Sequence, residues 1–581
     1  MKKIFCLAFS ACVFLLTSAV AQNNDPVLMT VGNETVTKSD FIKAYQKNGS
    51  LTEATEADLR DYLRLYSDYR MKVQEAKAML LDTAKAFQKE WEAYKNQYAQ
   101  QYLIDTEVSD QLLEETTERA RYHIRASHLL VRIPQNATPK DTLAAYHKIM
   151  KIRDEIINGL NFNEAAVLYS EDGSARDFVN PQTKRFQPGN RGDLGYFSVL
   201  EMVYPFETAA YTTPVGQVSM PVRSQFGYHL VYVQDKIPAV AKMFVSQIFI
   251  KDTNSLKDNV NHDEVMNKYA QIKQKLQQGT SFEDLVAEFS DDQASKNNGG
   301  RMEPFSPNRR PGNFVNAALN LKPGQISEPV PSVIGWHILR LDSIIYTTVN
   351  EEFKYMIKNR LSRDSRSKKS KESLVEKLKV EYNYEESGKK AAMKFFKKNL
   401  SDNYFQSKHI AIDSLAGIEK LKPMCTYADR KLTAVDFGKY LARYQGAQIN
   451  TSMELFLENV YPNFVSDNML RYESTRLMDK YPEYRDVVNE VYDGLLIYEV
   501  NSAKVWNAAL QDTVGTERYY EQIKSQFATG DSLNPYKPFE EVRAVVISQY
   551  QDKLEKEWVL QLHEKYPVKI NEDVFKSILK K

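Results

Sequence analysis

The sequence predicts an α+β protein, with two tandem α+β domains set between mostly α-helical modules. Three observations predict it. One motif set occurs twice between residues 121 and 346, both flanks carry apolar residues at three- and four-residue spacing, and a short hairpin-plus-helix pattern near residue 31 recurs near residue 427. The first copy of the motif set reads ASHLLVR around His128, then FNEAAVLYSEDGSAR, GDLGYF and PVGQVSMPVRSQFGYHLVYV around His229. The second reads VSQIFIK around Gln247, then FEDLVAEFSDDQASK, GGRMEPF and KPGQISEPVPSVIGWHILRL around His337. Early motifs lie 119 or 120 residues apart and late ones 108, so copy one holds about a dozen extra residues between Gly173 and Arg191. A period this long, present only twice, indicates duplicated domains; a solenoid needs shorter units and at least three of them.

Taken in order, the chain opens with Met1-Lys2-Lys3, an apolar run from Ile4 to Val20, and Ala19-Val20-Ala21 before Gln22. A basic start, a short apolar core and an A-x-A site predict a cleavable signal peptide over 1–21 and hence export. Residues 22–120 read as a helical module. Val27 to Val31 and the Gly32-Asn33 turn suggest a hairpin, and Leu59, Leu63, Tyr66, Tyr69, Val73 and Ala76 mark one face of a helix. Each repeat, 121–237 and 238–346, reads strand, helices, strand, helix, strand, strand, which is the pattern of helices covering a small sheet with antiparallel pairs. In copy one a helix is expected over Met202–Tyr211. Residues 347–581 are again helical, and YADRKLTAVDFGKYL at 427–441 echoes VGNETVTKSDFIKAY at 31–45, which suggests a second copy of the helical module. The basic stretch Lys358–Lys379 reads as a solvated helix. The last short alternating segment, Val568-Lys569-Ile570, could return to pair with the N-terminal hairpin.

The bulk numbers exclude several classes. Removal of 1–21 leaves 75 basic against 76 acidic side chains, a balance that argues against nucleic acid or anionic lipid as the main partner. Only Cys425 would remain of the three cysteines, so no internal disulfide framework is expected. The histidines have no metal-ligand spacing and no cofactor motif is present, so neither a metal nor a cofactor is expected. Motifs of hydrolases and nucleotide-binding enzymes (G-x-S-x-G, P-loop, H-E-x-x-H) are missing from the sequence.

Taken one at a time, a histidine on a strand is more often a satisfied core residue than a functional one. The ordered motifs around His128 and His229 change that reading. SHLL, YSEDGSA, GDLGYF followed by M-x-x-P-F, and FGYHLV, present in order and then repeated, resemble the parvulin family of peptidyl-prolyl isomerases. The resemblance implies that His128 and His229 are the paired active-site histidines and that Asp172 stands where family members carry Cys or Asp. It further implies that Met202 and Phe206 line the proline pocket, and that Ser224 supports the histidine pair. In copy two Gln247 replaces the first histidine and Arg310 the methionine, while Asp292, Phe314 and His337 remain, so a degenerate second site is expected. The whole layout resembles SurA-like periplasmic foldases.

The expectation is therefore a periplasmic peptidyl-prolyl cis–trans isomerase and chaperone. Its partners would be unfolded polypeptides with X–Pro bonds, outer-membrane protein precursors among them. The alternative is a non-catalytic binding chaperone that uses the two repeated domains as scaffold.

Overall fold

In the computed structural model the described residues are 25–47, 49–134, 137–179, 181–182, 186–252, 262–400, 411–444 and 451–579. The expected signal peptide lies outside them. No helix among the described residues is long and apolar enough to cross a membrane. The chain forms two compact units, one made of the residues up to Gln100 together with those from Arg476 onward, the other running from Gln101 to Thr475.

In the first unit, strands Val27–Val31 and Glu34–Thr37 form an antiparallel hairpin. Strand Val568–Ile570 returns to the other edge of the first strand, with Met29 opposite Ile570 and Val31 opposite Val568. Helix Glu56–Ala78 packs on this sheet, and Lys85–Ala99, Pro482–Asn501 and Phe539–Lys565 join it in one core. They bury Leu28, Phe41, Leu63, Val73, Leu496 and Leu562 in a shared core. Helix Lys38–Gln46 starts at a capping box, in which Thr37 Oγ accepts from the Asp40 amide while the Asp40 carboxylate accepts from Thr37.

The sequence echo has the same physical content in the second unit. Hairpin Cys425–Tyr427/Arg430–Leu432 leads into helix Ala434–Leu441, capped reciprocally by Thr433 and Asp436. The basic stretch is not one solvated helix. It breaks between helices Glu351–Leu361 and Lys368–Glu381, and the turn between them buries Arg366.

Each repeat folds as α+β. Copy one has a four-stranded antiparallel sheet in the order Asp193–Phe197, Tyr122–Arg132, Gly227–Pro238, Val222–Ser224. Helices Pro139–Ile157 and Phe162–Tyr169 cover one face, packing Ile149, Ile152 and Phe162 on Leu129, Val131 and Leu230. Helix Tyr204–Thr212 covers the other, packing Phe206 and Ala210 on Ile124, Ala126, Val231 and Val233. Strand Val240–Lys251 then begins copy two, whose sheet runs Val330–Ser332, Gly335–Tyr346, Val240–Lys251. Its GGRMEPF segment makes only isolated bridges, Met243 with Phe305 and Ser246 with Arg301, where copy one has a regular strand. The dozen extra residues of copy one lie partly outside the described residues. Those described include a two-residue pairing of Phe178–Val179 with Phe186–Gln187, with Phe178, Val179 and Phe186 exposed.

Candidate functional site

Side chains alternate across a strand, so His128 shares a face with Ile124 and Ala126, and His229 with Val231 and Val233. That is the face covered by helix Tyr204–Thr212. Because His128 lies opposite Val231 and His229 opposite Leu130, the two imidazoles are diagonal neighbours on adjacent strands. Their rings lie 6.0 Å apart at an interplanar angle of 22°, and no hydrogen bond joins them. The Phe206 ring stands edge-on to both, at 5.8 Å from His128 and 5.5 Å from His229.

The backbone of His128 is pinned by Gly192, whose carbonyl accepts from the His128 amide at 2.8 Å. Gly192 has φ of 85°, and a Cβ there would stand 2.7 Å from the His128 carbonyl oxygen. Glycine alone meets both demands. Asp172 opens the turn Gly173–Ala175: its Oδ1 accepts from the Ser174 amide at 3.1 Å, which leaves Oδ2 free to meet His128 Nε2 at 2.9 Å. At the other end Ser224 Oγ lies 2.6 Å from His229 Nε2 and accepts from the Phe226 amide. His229 Nδ1 is buried with no hydrogen-bond partner.

The structure thus brings together His128, Asp172, His229, Ser224 and Phe206. Met202 packs half-buried against the same cluster. It precedes the pocket helix rather than opening it, because the helix begins at Tyr204, with Pro205 in the first turn where its missing N–H is not needed.

The site holds little proton. Burial pushes His229 down to about 4, helped by the charges of His128 and Arg223. His128 is also lowered by burial, against the pull of Asp172. Asp172 stays below the usual carboxylate range: burial opposes this, but the Ser174 amide and His128 outweigh it. With Asp172 ionised and His128 neutral, His128 Nε2–H donates to the carboxylate.

Copy two places the corresponding residues alike but wires them differently. Gln247 Nε2 donates to Asp292 Oδ2 at 2.9 Å, Gln247 Oε1 meets His337 Nδ1 at 2.8 Å, and His337 Nε2 meets Ser332 Oγ at 2.8 Å. An amide oxygen only accepts, so His337 carries its proton on Nδ1, and the chain from Asp292 to Ser332 is closed. Copy one is open at the equivalent nitrogen of His229. Phe314 stands edge-on to His337 at 5.3 Å, as Phe206 does in copy one. The exposed Arg310 lays its guanidinium 5.3 Å from the Phe305 ring and, after burial, helps push His337 down to about 4.

Reading the motifs alone overlooks a buried ion cluster beside the pocket, formed by Glu207, Arg119 and Arg366. A signal for it exists in the repeat. Glu207 stands where copy two has Val315, a charge in place of a core residue.

Residues 128–235 and 248–343 match the PPIC-type PPIase domain, the rotamase family. Over 256 residues the chain is 28% identical to the chaperone SurA of Nitrosococcus oceani, covering 44% of this chain and 56% of that one. Over 228 residues it is 28% identical to the chaperone SurA of Escherichia coli O6:H1, covering 38% and 49%. The chain therefore spans about half the length of the curated relatives it matches. Among solved structures, the peptidylprolyl isomerase PrsA of Bacillus anthracis aligns with 45% of this chain and 88% of its own at 21% identity, with a TM-score of 0.17. Both repeats of the motif set are thus PPIC-type peptidyl-prolyl isomerase domains, carried in tandem by a chain with SurA chaperones among its relatives.

Proposed function

We propose that this chain is a periplasmic peptidyl-prolyl cis–trans isomerase and chaperone for unfolded exported proteins, outer-membrane precursors among them, with catalysis in copy one. The observation that carries the reading is the open site around His128, Asp172 and His229 over the Phe206 ring. The reaction breaks no covalent bond. Amide rotation has a barrier of about 18–20 kcal/mol, and an unaided X–Pro bond takes tens to hundreds of seconds. An enzyme has only to bind the twisted imide better than either planar form. Phe206 and Met202 offer the proline ring an apolar wall, while the neutral imidazoles and the single carboxylate surround the imide with fixed dipoles that need no rearrangement as it twists. His229 Nδ1, which no protein group engages, would serve the imide once the proline is seated against Phe206. The nucleophilic route open to family members with cysteine is closed here, because the position is Asp172.

Copy two serves better as a scaffold or weak binder. Its polar groups already satisfy one another, and the Arg310 charge stands where an apolar ring would dock.

The chaperone half of the reading rests on the helical segments. In the first unit, a groove of about 920 Å³ is lined by Tyr62, Tyr66, Tyr69 and the exposed Leu65, with charged side chains such as Lys43, Lys47 and Glu490 along its walls. The three tyrosines stack in series, 6.2 and 5.9 Å apart. Rigid apolar bodies with polar tips suit extended, changing clients better than one continuous apolar patch does. This groove equally favours the second reading, a binding chaperone whose repeated domains are scaffold.

Acceleration of isomerisation of a short unphosphorylated X–Pro peptide, abolished by His128→Ala, separates the two. A folded wild-type chain with no acceleration leaves only the binding chaperone.

A further inference from the structure

Glu207 is fully buried on the pocket helix, directly after Phe206, and its carboxylate is gripped from outside the domain. Arg366 donates to both of its oxygens at 2.8 Å, and Arg119 donates to Oε1 at 3.0 Å. Arg119 closes helix Thr106–Arg119, ahead of copy one, while Arg366 lies beyond copy two, 159 residues from its partner. Both guanidiniums flank the Tyr204 ring, at 5.6 and 4.6 Å, and the Tyr204 hydroxyl donates to Glu115. The second carboxylate oxygen, Oε2, also accepts from the Leu200 amide at 2.7 Å. Leu200 has φ of 66°, a conformation that a leucine holds only when its surroundings impose it. Glu207 therefore fixes both ends of the segment 200–207, which carries Met202 and Phe206.

Packing does not account for this arrangement. The same position in copy two is Val315, buried in that domain's own apolar core. The fold accepts a methyl-bearing side chain there, and a buried ion cluster is poor evidence of added stability, because desolvation offsets its attraction.

We propose that Glu207, Arg119 and Arg366 are positioning residues for the isomerase site, making the shape of its proline pocket depend on the helices that flank the two domains. The inference rests on copy one being the catalytic domain. The arginines touch no substrate. They hold the carboxylate, the carboxylate holds Leu200, and the loop between presents Met202 and Phe206 to the proline ring.

The experiment measures steady-state isomerisation by the full chain, as KM and kcat separately. The variants are Arg366→Met, Arg366→Lys, and the apolar triple Arg119→Met/Glu207→Val/Arg366→Met, which removes the three buried charges together and leaves only the partly exposed Asp364 and Glu115 without their arginines. Displacing a binding group by about 1 Å can change rates by up to about 100-fold. We expect kcat/KM to fall at least tenfold in Arg366→Met and in the triple variant, mainly through KM, with Arg366→Lys intermediate. Circular dichroism establishes that the triple variant is folded. An active wild type with a folded triple variant inside twofold of its kcat/KM overturns this proposal alone, and so does a loss confined to kcat. An inactive wild type overturns instead the functional reading on which it rests.

Discussion

Acid provides a sharp test of the site, because His229 is held at about 4 rather than near the 6.5 of a free imidazole. Burial is the first cause, and the neighbouring His128 and Arg223 add to it. At pH 5 such a histidine is still about nine-tenths neutral, whereas an ordinary one would be only about 3% neutral. Isomerase activity that needs neutral His229 is therefore expected to stay nearly flat from pH 8 to 5 and to fall only near pH 4. The sign for stability follows from the same shift. The unfolded chain takes up the proton first, so the folded state is at full stability above pH 6.5 and loses it as pH falls toward 4. The loss from this one group is about 2 kcal/mol at pH 5. An NMR exchange assay on an X–Pro peptide reads the activity without a coupling protease, and a ring titration of His229 reads the cause. Half-loss of activity near pH 6.5, with His229 titrating there, would refute the argument that burial keeps the pair neutral.

Further outcomes are expected. His128→Ala/His229→Ala in the full chain should leave little isomerase activity, since copy two's network is closed from Asp292 to Ser332; undiminished turnover would assign catalysis to copy two. Gln247→His with Arg310→Met should raise activity in that background, measured with the same peptide. A variant lacking 121–346, if folded, should still suppress aggregation of an unfolded outer-membrane protein, and Tyr66→Ser/Tyr69→Ser should weaken that suppression; unchanged suppression would move client binding away from the groove. Thr433→Ala removes a reciprocal cap and should destabilise its helix by about 1 kcal/mol, read as a lower urea midpoint for the second unit.

Local rules written in short stretches settled much of this protein before any tertiary contact. The ordered motifs singled out His128 and His229 through their resemblance to the parvulin family, the echo of 31–45 at 427–441 contained the Thr-x-x-Asp pattern of both capping boxes, and the repeat itself marked copy two as altered at Gln247 and Arg310. Pro205 set the helix start at Tyr204 and left Met202 in a loop, and that too is a local effect written in the sequence. What sequence alone could not decide is where distant charges meet. The basic stretch Lys358–Lys379 reads as a solvated face because 12 of its 22 residues are charged. Yet Arg366 is buried, held by Asp364 two residues before it and, through both terminal nitrogens, by Glu207 on another domain. Periodicity reports which way a side chain points from its own element, within a few residues. Pairing a charge across 159 residues depends on how whole helices and sheets dock, and that is decided by tertiary packing alone.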